Sequence, residues 1–62
     1  MHFEVYQNSN YLLGGDGSWR WRLRAGNGEI IAQGEAYHNR ADCLHAVSLI
    51  KQTTIHTPVQ ML

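Results

Sequence analysis

The sequence predicts an α+β domain: a three-stranded antiparallel meander, one helix, and a short C-terminal strand, in the order βββαβ. Three features predict it. Trp19-Arg20-Trp21-Arg22-Leu23-Arg24 alternates apolar and basic residues in period two, as a strand with one buried face does. Asn27-Gly28 lies between two strand-like runs, a strong hairpin signal. After Asn39 the apolar residues recur at helical spacing.

The first strand is His2-Phe3-Glu4-Val5-Tyr6-Gln7, which sends Phe3 and Val5 to one face and His2, Glu4 and Tyr6 to the other. The connection from Asn8 to Ser18 is rich in turn-forming residues, Gly14-Gly15-Asp16-Gly17-Ser18 above all. Its apolar triplet Tyr11-Leu12-Leu13 is expected to cap the core rather than stand exposed. In the second strand Trp19, Trp21 and Leu23 share a face opposite Arg20, Arg22 and Arg24.

A two-residue type I′ turn at Asn27-Gly28 would place Leu23 opposite Ala32 and Ala25 opposite Ile30. That register puts Ile30 and Ala32 on the tryptophan face and Ile31 and Gln33 on the arginine face. Asn39 is a good N-cap, and Asp42 adds a carboxylate in the first turn, where the helix dipole favours it. The helix is expected from about Arg40 to about Thr53, with Cys43, Ala46, Val47 and Ile50 covering the indoles. Leu44 falls at the margin of that face and Leu49 on the polar side. Pro58 then favours extended chain, and Val59-Gln60-Met61-Leu62 reads as a terminal strand.

The chain has 62 residues, with five basic and five acidic side chains. Residues 1–62 read as one domain. A chain of this size buries only about 60% of the surface its unfolded form exposes, so its core needs a brace. The one cysteine, Cys43, cannot form an internal disulfide. His2, His38, His45 and His56 have no common metal-ligand spacing, so no metal and no cofactor is expected. Association is the remaining brace, and an unpaired sheet edge is a template for it. No apolar run approaches the roughly 20 residues that cross a bilayer, and Met1-His2-Phe3-Glu4 is no signal sequence, so a cytoplasmic location without membrane contact is expected.

The candidate binding residues are Arg20, Arg22 and Arg24, which stand about 7 Å apart along one strand face, near the spacing of phosphates on an extended nucleic acid. Tyr6 on the neighbouring strand offers a stacking surface. The zero formal net charge weighs against that reading. The favoured alternative is a solvated face whose arginines pair with Glu4 and with Glu29 or Glu35. Cys43 and His45 lie about 200° apart around a helix and cannot form a catalytic pair, which leaves His38 and His56 as the only conceivable bases. The Gly14–Gly17 loop lacks the lysine and following helix of a phosphate-binding loop. No catalytic residue is assigned, and the domain is expected to be non-enzymatic.

Phe3-Glu4-Val5-Tyr6, Trp19-Arg20-Trp21-Arg22-Leu23, Asn27-Gly28-Glu29-Ile30-Ile31-Ala32, Gly34-Glu35-Ala36-Tyr37 and Thr57-Pro58-Val59 together resemble the YegP-like family of small bacterial domains of unknown function. The resemblance implies that two copies build a single sheet and exchange their C-terminal strands. It therefore implies a homodimer whose interface includes Pro58, Val59, Gln60, Met61 and Leu62. The connection from Asn8 to Ser18 is longer than the family pattern. The family carries no established activity to transfer.

Overall fold

The computed structural model describes residues 1–9, 12 and 14–62. Strands β1 (His2–Asn8), β2 (Ser18–Arg24) and β3 (Ile30–Gln33) form an antiparallel sheet in that order, followed by helix α1 (Arg40–Lys51). The α+β class and the meander are as expected. Helix α1 ends two residues before the expected Thr53, where the Thr53 hydroxyl donates to the Ile50 carbonyl.

Strands β1 and β2 pair without interruption from His2 opposite Arg24 to Asn8 opposite Ser18. The β2–β3 hairpin differs from expectation at its tip. Ala25 N–H donates to the Glu29 carbonyl and Gly28 N–H to the Ala25 carbonyl, so the loop is the three residues Gly26, Asn27 and Gly28. Only Gly28 has a positive φ, +86°, and a type I′ turn needs one at Asn27 as well. A three-residue loop with a left-handed glycine at its end is the next commonest solution. It moves Arg24 opposite Ile30, and a bulge at Ile31 restores Leu23 opposite Ala32. The expected pairing of Leu23 with Ala32 therefore holds, whereas that of Ala25 with Ile30 does not. Ala32 packs against the core, but Ile30 and Ile31 are both exposed.

The helix begins as its sequence dictates. Asn39 has extended backbone, its Oδ1 accepts from Asp42 N–H at 2.8 Å, and its Nδ2 donates to the Asp42 carboxylate at 3.1 Å. One face of α1 lies over β2 and β1. Cys43 and Val47 on that face are buried with Trp21, and Phe3, Val5, Trp19, Leu23, Ala32, Tyr37, Ala46 and Ile50 pack around them. Phe3 meets the Trp21 indole edge to face, with ring centroids 5.9 Å apart. Leu44 and Leu49 are about half exposed.

The second indole is less covered. Trp19 is half-buried, bridges to Tyr37 through paired backbone hydrogen bonds, and carries the Arg40 guanidinium 5.9 Å from its ring. In the first connection Tyr11 and Leu13 lie outside the described residues, and Leu12 stands exposed rather than over the core.

Residues 53–62 are all exposed and form no strand in the single chain. A turn at Thr54–Thr57 sets their course: Thr57 N–H donates to the Thr54 carbonyl, Thr54 N–H to the Thr57 hydroxyl, and His56 N–H to the Thr54 hydroxyl. The Cα radius of gyration is 13.5 Å, against about 10.5 Å for a compact chain of this length.

Gly34 closes the core from the sheet side. A Cβ at this position would overlap Nε1, Cε2 and Cδ1 of the buried Trp21 ring. The overlap can be relieved only by shifting the indole or the strand, so Gly34→Ala should cost about 1–3 kcal/mol by overpacking and lower the thermal midpoint. An unchanged midpoint would show that the ring moves freely.

Candidate functional site

The outer face of the sheet, away from α1, collects the residues singled out for binding. Strand alternation brings His2, Glu4 and Tyr6 of β1 alongside Arg20, Arg22 and Arg24 of β2, with Tyr6 opposite Arg20 and Glu4 opposite Arg22. All four predicted binding residues thus share one surface. They are not, however, a free cationic stripe.

Glu4 is the hub. Its Oε1 accepts from Arg22 Nε at 2.5 Å and from Arg24 Nε at 2.8 Å, and its Oε2 lies 3.1 Å from His2 Nε2. Arg24 also donates through Nη1 to the Gly28 carbonyl, which ties the strand face to the β2–β3 loop. The Arg22 guanidinium lies over the Tyr6 ring, 4.7 Å from its centroid. The tyrosine surface that sequence reasoning offered to a base is therefore occupied by an arginine of the same chain.

Arg20 takes a different partner. Its Nη2 lies 3.5 Å from Asp16 Oδ2, and its Nε donates to the Ser18 hydroxyl at 3.3 Å. Asp16 is fixed in turn by the Ser18 N–H at 3.0 Å and the Ser18 hydroxyl at 2.5 Å. Among the described residues neither Glu29 nor Glu35 pairs with an arginine. The sequence signal for Asp16 was its place in Asp16-Gly17-Ser18, where an Asp side chain commonly bonds the backbone two residues on.

The charge states follow from these contacts. Hydrogen bonds from Arg24, then Arg22, then His2 pull the Glu4 carboxyl from its ordinary 4.5 down to about 2. The Ser18 hydroxyl and N–H, with Arg20 behind them, lower the Asp16 carboxyl. Both carboxylates are ionised at neutral pH. Three guanidinium groups against two carboxylates leave this face with one excess positive charge, a weak field for a polyanion.

The remaining candidates disperse. Cys43 is fully buried, and burial raises its thiol pKa, the opposite of what a nucleophile needs. Among the described residues no three His, Cys, Asp or Glu side chains cluster to hold a metal ion. No helix is long and apolar enough to cross a membrane, among the same residues. A shallow concavity of about 290 Å³, lined by Asp16, Gly17, Ser18, Ala36, Tyr37 and His38, had no signal in the residue pattern. Its carboxylate is already engaged by Ser18 and Arg20.

A lowered carboxyl pKa contributes stability that is complete above the ordinary value and disappears as pH falls through the lowered one. Glu4 should therefore stabilise the fold fully above about pH 4.5 and lose that contribution towards pH 2. Thermal melts across this window should show a steeper acid decline for the wild type than for Glu4→Gln. Parallel curves would mean that the Glu4 hub contributes nothing measurable.

A UPF0339 protein of Neisseria meningitidis serogroup B is 50% identical over 60 residues, spanning 97% of this chain and 96% of its own. A UPF0339 protein of Methanosarcina acetivorans is 33% identical over 60 residues, covering 97% of this chain and 93% of its own. A UPF0339 protein in the ptx operon 5′ region of Stutzerimonas stutzeri is 34% identical over 50 residues, which are 81% of this chain but 40% of that longer one. Residues 15–60 match the model of the domain of unknown function DUF1508, and the chain belongs to that family.

Proposed function

We propose that the chain is a non-enzymatic association module that works as a homodimer, each copy completing the other with its C-terminal segment, Pro58 to Leu62. One observation carries this reading: the single chain leaves too much surface uncovered. Its accessible area is 5153 Å², whereas a folded monomer of 7.1 kDa typically exposes about 4,100 Å². The excess, about 1,000 Å², resembles the roughly 800 Å² that each partner buries in a stable interface.

Much of the excess is apolar and lies in one place. Ile55, Val59, Met61 and Leu62 are 86–113% exposed. Four such side chains in a single tail exceed the scattered apolar residues of an ordinary surface. The body has a matching deficit, since its only buried hydrophobic side chains among the described residues are Trp21, Cys43 and Val47, and of these Cys43 alone is fully buried. The length of the Stutzerimonas relative supports the same reading, because the part of it outside the match has room for a second such unit. A cytoplasmic location fits the reading, with the core thiol of Cys43 kept reduced and unpaired.

Binding of nucleic acid or another polyanion through Arg20, Arg22, Arg24 and Tyr6 is the second reading. A continuous dimer sheet would set two such faces side by side and add avidity. Against it, Glu4 and Asp16 already engage the three guanidinium groups. We favour a self-neutralised face that shields the sheet from solvent.

Sedimentation equilibrium at micromolar concentration should return twice the 7.1 kDa chain mass. Removal of Pro58–Leu62 should abolish the dimer and most of the stability. A stable, compact single-chain species in the full-length protein would overturn the reading. Affinity for single-stranded nucleic acid at low salt should be weak and unaltered by Arg20→Ala combined with Arg22→Ala. A loss of tenfold or more, with the steeper salt dependence that phosphate contacts impose, would restore the second reading.

A further inference from the structure

Asn27-Gly28 does not form the two-residue turn that its sequence suggests, and the tip it does form brings together groups that react with one another. An asparagine followed by glycine can lose its side-chain amide without an enzyme. The backbone nitrogen of the next residue attacks the side-chain carbonyl carbon, and glycine leaves that nitrogen accessible because it carries no Cβ. Asn8, Asn10 and Asn39 precede Ser9, Tyr11 and Arg40, and only Asn27 precedes a glycine.

The loop holds the reacting atoms near each other. Glu29 N–H donates to Asn27 Oδ1 at 3.0 Å. That bond folds the side chain back along its own backbone, so Cγ is kept beside the intervening Gly28 nitrogen. It also aims a donor at Oδ1, the atom that takes up negative charge when Cγ is attacked. Residues 26–29 are exposed, and the space where a Cβ of Gly28 would stand is open, so water reaches the site.

One bond opposes the reaction. Gly28 N–H donates to the Ala25 carbonyl at 2.9 Å, and the nitrogen attacks only once its proton has left. Ala25 N–H bonded to the Glu29 carbonyl, and Arg24 Nη1 bonded to the Gly28 carbonyl, brace the same loop. The attack therefore waits for a local opening of the tip.

Asp16-Gly17 is an internal control with the same arrangement. Ser18 N–H donates to Asp16 Oδ1 at 3.0 Å, and Gly17 N–H donates to the Asn8 carbonyl at 2.6 Å. The leaving groups differ. Asn27 releases ammonia, whereas Asp16 is held as a carboxylate by the Ser18 hydroxyl and N–H and has no neutral group to release.

We infer that Asn27 is a site of spontaneous, non-enzymatic modification, in which the Gly28 nitrogen displaces the side-chain amide at a rate set by opening of the Gly28–Ala25 hydrogen bond. The Gly28 proton passes to water and the N–Cγ bond forms. The Cγ–Nδ2 bond then breaks, and ammonia leaves with a proton taken from water, which closes a five-membered imide. Nothing is oxidised or reduced. Water next adds to one of the two imide carbonyls. Cleavage of N–Cγ gives aspartate, and cleavage of the original peptide bond gives isoaspartate, whose backbone runs through Cβ and Cγ. Either product adds a negative charge beside Arg24. Isoaspartate also lengthens the loop and turns the acceptor of Glu29 N–H into a backbone carbonyl.

The test is incubation of the full-length protein in water enriched in oxygen-18, at one mildly alkaline pH and one temperature, with and without enough urea to unfold it, followed by peptide mapping. Label and isoaspartate should both appear at residue 27, and the folded chain should react about 10- to 100-fold more slowly than the unfolded one. Gly26 has no positive φ, and a Cβ there meets nothing within 4 Å. Gly26→Ala should therefore stiffen the loop and slow the folded chain by a further factor of about two to five, with the unfolded rate unchanged. Label without isoaspartate overturns the imide route. Equal folded and unfolded rates, or a folded rate that Gly26→Ala leaves unaltered, overturn the gate. Isoaspartate at residue 16 as fast as at residue 27, or no product in the folded chain beyond the expected slowing, overturns the site.

Discussion

The buried face of Trp21 is the contact on which the rest of the fold depends. The indole is held between Cys43 and Val47 of the helix, the edge of Phe3, and the bare backbone of Gly34. A large ring at the centre of a small sheet removes on the order of 200 Å² from water, an economical way to build a core from few residues. It leaves one polar atom unanswered: Trp21 Nε1 is buried and has no hydrogen-bond partner among the described residues. Such a group opposes the gain from burial by about 1–3 kcal/mol, which keeps the single-chain core modest and makes additional apolar cover valuable.

The two faces of the sheet solve opposite problems. On the inner face apolar side chains compete for too little cover. On the outer face one carboxylate, Glu4, is shared by two guanidinium groups, and a third is held by Asp16 in the preceding turn. Exposed ion pairs of this kind contribute little individually. Their clearer effect is on orientation. The arginine side chains are tied down on the sheet face, one of them with its guanidinium 4.7 Å from the Tyr6 ring centroid.

The elements were legible in the sequence wherever a single periodicity decided them. The alternation from Trp19 to Arg24 placed the indoles inside and the arginines outside, and the spacing of Cys43, Ala46, Val47 and Ile50 gave the covering face of α1. The hairpin tip was not legible, because Asn27-Gly28 suits a two-residue turn as well as the end of a three-residue one, and only the compensating bulge at Ile31 reveals which formed. In the candidate site Glu4 could be assigned to the arginines from strand pairing alone. Asp16 could not, since its contact with Arg20 arises from a local turn rather than from the ladder. The tail resisted for a different reason: Val59-Gln60-Met61-Leu62 has the residue types of a strand, but residues 53–62 lie exposed and form no strand with the described residues of the chain.

The pairing of a three-residue loop with a bulge has a consequence for how this hairpin tolerates changes in length. The loop shifts the count by one residue, and the bulge at Ile31 shifts it back before Ala32 reaches the core. Two local irregularities thus cancel within a few residues, and the interior never registers either of them. Shortening the tip by one residue could be absorbed by straightening Ile31 into the strand. Variation at this end of the molecule is insulated from the indoles, whereas a single insertion between Ala32 and Gly34 has no such buffer and would turn the strand inside out.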